Sequence, residues 1–264
     1  MKEAIEEFKR KIEEGEWLYI PKYVEERLDD YLLSLRHINV NKVWREIKRS
    51  YYRGDTADLY RDKRHIVAYL RYYYFLNYPA IKWILFKNLE KGMDIIPKRD
   101  GVINVLDYGA GPGTASMAIC DFIKEAREAE VYRNTKVRLF FVEKVEDFII
   151  CYKKMLRRHE IVDREPNRDY IEQVHGIRKD CYDIIIASYV LNELSRKRDL
   201  RNFLKTILYG LKNGGHLIIV ESAYKEKRDV WDFLKSEWVR GSFKIVDASG
   251  PLCSEESCKL RDRE

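Results

Sequence analysis

Through the first 95 residues, apolar positions recur with helical spacing, and no segment alternates as a strand would. Ala4, Ile5, Phe8 and Ile12 fall on one face of a first helix, with Gly15 as its stop. Val24, Leu28, Tyr31, Leu32 and Leu35 mark a second over about residues 23–37, and Val43, Trp44, Ile47 and Tyr51 a third from about Asn41. Gly54-Asp55-Thr56 interrupts the pattern, so Asp55 or Thr56 is placed to cap a fourth helix reaching Asn77. Pro79 then opens another helix, which stops at Lys91-Gly92.

From about residue 100 the pattern changes to alternating strand and helix, which implies a parallel sheet with helices on both faces. Ile103, Val105 and Leu106 form a first strand; Val137, Leu139, Phe140, Phe141 and Val142 form a second over 136–143. A weak third is expected at 170–174. The fourth, at 183–188, is apolar enough to be buried on both faces, and a fifth and sixth are expected at 216–221 and 243–246. Intervening helices carry Ala115, Ala118, Ile119, Phe122 and Ala126, then Phe148, Ile149, Tyr152 and Met155. A third carries Leu200, Phe203, Leu204, Ile207 and Leu211 and is stopped at Asn213-Gly214-Gly215; a last helix lies near 230–239. No good seventh strand follows. The expected fold is α/β, a Rossmann-like sheet over 96–264 behind an all-helical N-terminal extension over 1–95.

Composition adds little to this fold but narrows the setting. A hydrophobic fraction of 45% allows a sizeable core, and the charged fraction of 36% with Gln173 as the only glutamine resembles a thermophile's surface. The N-terminus mixes charges and is expected to be neither a signal peptide nor a membrane span, and five scattered cysteines argue against a secreted disulfide framework. A cytoplasmic protein without a membrane partner is expected. The net charge of +6 is compatible with an anionic partner without requiring one. Between residues 42 and 71, Arg45, Lys48, Arg49, Arg53, Arg61, Lys63, Arg64 and Arg71 interleave with tyrosines, as an RNA-gripping surface would. Glu46, Asp55, Asp58 and Asp62 dilute that charge, so a solvated helix face is the competing expectation. Tyr69, Tyr72, Tyr73, Tyr74, Phe75 and Tyr78 are too dense to be wholly exposed and are expected to pack on the following domain, over a ligand mouth.

The chemistry concentrates in Val105-Leu-Asp-Tyr-Gly-Ala-Gly-Pro-Gly-Thr114, where a strand runs through a glycine loop into a helix. A dinucleotide fingerprint, G-x-G-x-x-G, needs glycine where Thr114 stands. The pattern present is Asp-x-Gly-x-Gly-x-Gly. An acid beside the loop repels a pyrophosphate but suits an ammonium group. A third possibility is a glycine turn serving only tight strand-to-helix packing.

The acidic, every-second-residue pattern resembles the first motif of the class I S-adenosylmethionine-dependent methyltransferases. That resemblance implies that Asp107, Tyr108, Gly109, Ala110, Gly111 and Gly113 surround the amino-acid end of S-adenosylmethionine, and that Glu143, ending the second strand, accepts its ribose hydroxyls. Ser188 and Tyr189, after the fourth strand, would line the floor between cofactor and acceptor, with Asn192 and Glu193 as the polar residues nearest the acceptor. Leu106-Asp-Tyr-Gly-Ala-Gly-Pro-Gly-Thr, Ala187-Ser-Tyr-Val-Leu-Asn-Glu-Leu and Gly214-Gly-His-Leu-Ile-Ile-Val-Glu221 together resemble the mitochondrial and bacterial ribosomal small-subunit methyltransferase-like proteins. So does Ala68-Tyr69-Leu70-x-Tyr72 with Tyr78, although that family's usual arginine and proline are here Tyr73 and Phe75. This implies a role on small-subunit ribosomal RNA, as a methyltransferase or as an assembly factor that keeps the pocket. A methyltransferase for a small molecule or protein is the rival enzyme. No Asn-Pro-Pro-aromatic run and no cysteine follows the fourth strand to name an acceptor. The family also carries a cysteine motif associated with an iron–sulfur cluster; the counterpart here, Cys253 and Cys258, is incomplete, and two thiols or a disulfide are expected.

Overall fold

A computed structural model describes residues 21–33, 39–53, 59–91, 95–96, 100–157, 159–164, 166–168, 177–191, 194 and 197–221, with Glu6, Arg10 and Phe233. Strands β1 (Asp100–Tyr108), β2 (Asn134–Val142), β3 (Asn167–Arg168), β4 (Tyr182–Ser188) and β5 (Leu211–Val220) form one sheet in the order β3-β2-β1-β4-β5. Every pairing is parallel. The order reverses direction on either side of β1, which opens a crevice at the carboxyl ends of β1 and β4, the usual ligand position in an open α/β sheet. The Rossmann-like expectation is met.

Period-two alternation sorts the strand residues to two faces. Ile103, Val105, Val137, Leu139, Phe141, Ile184 and Ile186 enter a larger buried cluster beneath α5 (Thr114–Glu128) and α6 (Glu146–Leu156). Leu106, Phe140, Ile185 and Ala187 enter a second cluster under α7 (Lys197–Gly210), with Phe203, Leu204 and Ile207. The N-terminal helices α1 (Lys22–Leu33), α2 (Val40–Arg53), α3 (Lys63–Tyr69) and α4 (Phe75–Glu90) join the larger cluster through Val24, Val43, Ile47, Val67 and Ile81. They therefore share a core with the sheet.

Several elements differ from expectation. Asp62, with a side-chain oxygen accepting from Arg64 N at 2.9 Å, caps α3; Asp55 and Thr56 lie outside the described residues. Between α3 and α4, Leu70–Tyr74 is wound as a π-helix, and Pro79 sits inside α4 instead of opening a helix. Pro79 has no N–H for the Phe75 carbonyl, so the irregular turn and the proline fall next to one another. The third strand pairs through Asn167 and Arg168, earlier than expected, and 170–174 lie outside the described residues. The seventh helix ends at Gly210, and β5 begins at once at Leu211. Its pairing with β4 then slips, from Tyr182↔Leu211 to Ile184↔His216, so Asn213-Gly214-Gly215 forms an irregularity within the strand, with Gly214 at φ +76°. Apart from Glu6 and Arg10 in the expected first helix and Phe233 in the last, those helices lie outside the described residues, as do the sixth strand, Cys253 and Cys258. Cys120 and Cys151 are buried on α5 and α6, and among the described residues no group of side chains could hold a metal. No helix of the described residues is long and apolar enough to cross a membrane.

Candidate cofactor site

β1 delivers Asp107 to the sheet's carboxyl edge, and the loop turns at Gly109, Gly111 and Gly113, all with positive φ, before α5 begins at Thr114. The three glycines are needed for different reasons. A Cβ on Gly109 would lie 2.5 Å from Val190 Cγ2, and one on Gly113 would lie 2.9 Å from the Tyr152 ring. Those two positions serve close packing. A Cβ on Gly111 would meet nothing nearer than the Tyr69 hydroxyl, at 3.9 Å. The middle glycine, though itself buried, leaves unfilled space on its face, where a ligand can lie against the backbone.

Asp107 is buried and accepts from Ser116 N at 3.1 Å and Ser116 Oγ at 2.7 Å. Ser116 Oγ lies 2.7 Å from the Tyr152 hydroxyl, which donates to it once the serine proton is given to Asp107. Burial pushes the Asp107 carboxyl up to about 7, against the pull of the two Ser116 hydrogen bonds, and the negative charge of Glu143 raises it further. Glu143, one residue past β2, accepts from Gly111 N at 2.8 Å through Oε2, and from Lys144 N and Val145 N at 2.7 and 2.8 Å through Oε1. Burial raises its carboxyl, and these backbone donors oppose the rise. The acid expected to read a ribose is therefore fastened to the glycine loop itself.

Tyr108 turns the other way and packs edge-on against Phe203 of α7, ring centroids 4.9 Å apart. Ser188 ends β4 opposite Val220, and Tyr189 follows in left-handed backbone, φ +58°, with its N–H donating to Val220 O at 2.7 Å. Such a conformation in a bulky residue is held only by its surroundings, and it turns the chain sharply after β4. Leu191 N donates to Glu221 Oε1 at 2.7 Å, so an acid after β5 secures that segment. Asn192 and Glu193 lie outside the described residues. The sequence pattern pointed to Asp107, Gly111 and Glu143, which the structure brings together. It did not point to Ser116, and it showed Tyr152 only on a helix face and Glu221 only at the end of a strand. A polar residue two positions into α5 and an acid directly after β5 are the traces that existed.

The residues present fit an adenosyl amino acid. Gly111 leaves space on its face, Glu143 sets a carboxylate beside that space, and Asp107 is a second acid beneath the loop. The Thr114 hydroxyl, buried at the start of α5, has no hydrogen-bond partner among the described residues.

The family model described as "Mitochondrial small ribosomal subunit Rsm22" matches residues 63–244. Among curated proteins, the chain is 30% identical over 119 residues to the hybrid PKS-NRPS synthetase lepA of Aspergillus flavus, matching 45% of this chain and 3% of that protein. It is 32% identical over 126 residues to a polyketide synthase-nonribosomal peptide synthetase of Aspergillus clavatus, 47% of this chain and 3% of that one. The chain thus spans a very small part of these relatives. Among solved structures, the CurJ carbon methyltransferase aligns over 89% of this chain and 62% of its own at 17% identity and a TM-score of 0.46. A putative S-adenosylmethionine-dependent methyltransferase of Methanococcus maripaludis aligns over 76% and 81%, at 16% identity and a TM-score of 0.41.

Proposed function

This chain belongs to the Rsm22 family, and from that premise we propose that it is an S-adenosylmethionine-dependent methyltransferase acting on small-subunit ribosomal RNA or assisting assembly of that subunit. The observation that carries the cofactor is the open face of Gly111, bordered by Glu143, while Gly109 and Gly113 are consumed by packing. When bound, the cofactor supplies an electrophilic methyl group. The protein's residues bind and orient. Glu143 takes the ribose hydroxyls, and Asp107 places negative charge beneath the ammonium end. The loop glycines give close backbone approach, and Ser188 and Tyr189 form the floor. Asn192 and Glu193, next in sequence, are our candidates for orienting the acceptor. We assign acceptor recognition to residues 1–95 and cofactor binding to 96–264.

The RNA part rests on the family and on one surface. Lys42, Arg45, Arg49 and Arg71 are exposed, and Trp44 stacks on Tyr72 at 4.7 Å between centroids, so cations and aromatic faces alternate there. A cytoplasmic setting belongs to this reading on the odd number and wide scatter of the five cysteines in the sequence. The matches to fungal polyketide synthases favour a second reading, methylation of a small molecule.

Calorimetry with S-adenosylmethionine comes first, and an absence of binding removes every enzymatic version. Salt-dependent binding to small-subunit RNA then separates the ribosomal from the small-molecule reading. Labelled methyl appearing in that RNA supports transfer; binding of both ligands without transfer leaves an assembly factor.

A further inference from the structure

The amides of the glycine loop already have acceptors inside the protein. Gly109 N and Ala110 N both donate to Val142 O, at 2.9 and 3.0 Å, Gly113 N donates to Ala110 O at 3.0 Å, and Gly111 N is held by Glu143. Residue 112 is proline and has no N–H. The loop therefore offers a ligand its backbone surface but few free donors. A sulfonium amino acid brings a carboxylate as well as an ammonium, and both ionisable side chains bordering the loop, Asp107 and Glu143, are acidic. They repel that carboxylate. A carboxylate left without donors is costly, and the Thr114 hydroxyl at the far end of the loop leaves room for a second donor on the Gly111 side.

The Tyr69 hydroxyl is the heavy atom met there. Tyr69 is the last residue of α3, and the chain leaves α-helical winding immediately after it, at the π-helical Leu70–Tyr74. π-Turns of this kind frequently occur at functional sites, where they re-aim neighbouring side chains. The ring is held on two sides, by Phe148 of α6 at 5.2 Å between centroids and by Tyr60 edge-on at 5.5 Å; Tyr60 and Phe148 themselves lie 4.9 Å apart. Three rings in mutual contact fix the phenol, and Phe148 belongs to the helix that starts directly behind Glu143. The N-terminal helices thus bring a neutral donor to the one face of the loop that is open.

We propose that Tyr69 is a cofactor-binding residue whose hydroxyl donates to the carboxylate at the amino-acid end of the adenosyl cofactor. It rests on the cofactor reading above. In this arrangement the helical extension completes the cofactor site, and the acceptor-side helices and the cofactor are recognised by one continuous structure.

The test compares Tyr69→Phe with the unaltered protein by calorimetry, using S-adenosylmethionine and its decarboxylated analogue. Loss of a hydrogen bond to a charged group should weaken S-adenosylmethionine by about tenfold or more while leaving the decarboxylated analogue within about twofold. The thermal midpoint should not move, because the ring contacts stay. Unchanged S-adenosylmethionine affinity in the variant overturns the assignment and leaves the cofactor reading standing. Equal weakening of both ligands also overturns it, since Tyr69 would then act by packing alone. If the unaltered protein binds neither ligand, the cofactor reading falls and this assignment with it.

Discussion

Asp107 sits where a carboxyl raised to about 7 changes charge near neutrality. Because its folded-state value lies above the ordinary carboxyl value, its contribution to stability is complete below about pH 4 and is lost as pH rises through about 7. A cationic ligand reverses the preference and favours the ionised form. Affinity for S-adenosylmethionine should therefore rise from about pH 6 to about pH 7.5, with proton release on binding, and Asp107→Asn should flatten the profile. Calorimetry in buffers of different ionisation enthalpy checks both. The loop glycines give a second contrast. Gly111→Ala should cost about 1 kcal/mol in denaturant unfolding, for a left-handed alanine, yet weaken the ligand strongly by filling its space. Gly109→Ala, whose new carbon would strike Val190, should lose a few kcal/mol of stability. If Gly109→Ala proves harmless and Gly111→Ala still binds ligand, the open face is not the binding face.

At the scale of elements, α5 is the hinge between extension and sheet. Asp121 on α5, almost wholly buried, accepts from Tyr78 of α4 at 2.5 Å, from Tyr23 of α1, and contacts His159 Nε2 at 3.0 Å. One turn along, the fully buried Lys82 of α4 lies 2.7 Å from Glu125. Burial pushes the Asp121 carboxyl up, but the hydrogen bonds from His159, Tyr23 and Tyr78 outweigh it and hold it below the usual range. Its contribution is present above the unfolded value and lost as pH falls through the folded one. Asp121→Ala leaves several buried polar groups unanswered and should cost about 3 kcal/mol or more, with Tyr78→Phe milder at about 1–2 kcal/mol, both read from denaturant midpoints. The density of aromatics over 69–78 foretold that this stretch would not be wholly exposed, and Tyr74 and Tyr78 are buried while Phe75 is exposed. It did not foretell the partners: Tyr78 and Asp121 lie 43 residues apart, and their pairing depends on how two helices cross. The same limit explains the third strand, two residues long, whose position follows from β2 and not from its own pattern. Asp107 and Glu143 were legible because strand ends with acids are readable in one dimension. Ser116 and Glu221 act through contacts that only the fold creates.

For the whole molecule, the sheet and the helical extension cannot be regarded as tool and handle, since they share one buried cluster. The net charge of +6 is modest, so any RNA affinity must come from where cations lie more than from how many there are. Replacing Arg45, Arg49 and Arg71 together by alanine should weaken single-stranded RNA and reduce the log–log salt slope by about 2, at about 0.7 per neutralised phosphate. S-adenosylmethionine affinity should stay unchanged. An unaltered salt slope would place the RNA surface elsewhere, or remove it.

The bond from Gly111 N to Glu143 gives the protein a spectroscopic voice of its own. A backbone amide donating to a carboxylate is charge-assisted and strongly deshielded, so this proton should resonate well downfield of the other glycine amides, in a region where only 13 glycines contribute. Ligand hydroxyls competing for Glu143 would shift that signal before any methyl group moves. Nuclear magnetic resonance can then follow site occupancy in a protein whose acceptor is absent, or which transfers nothing.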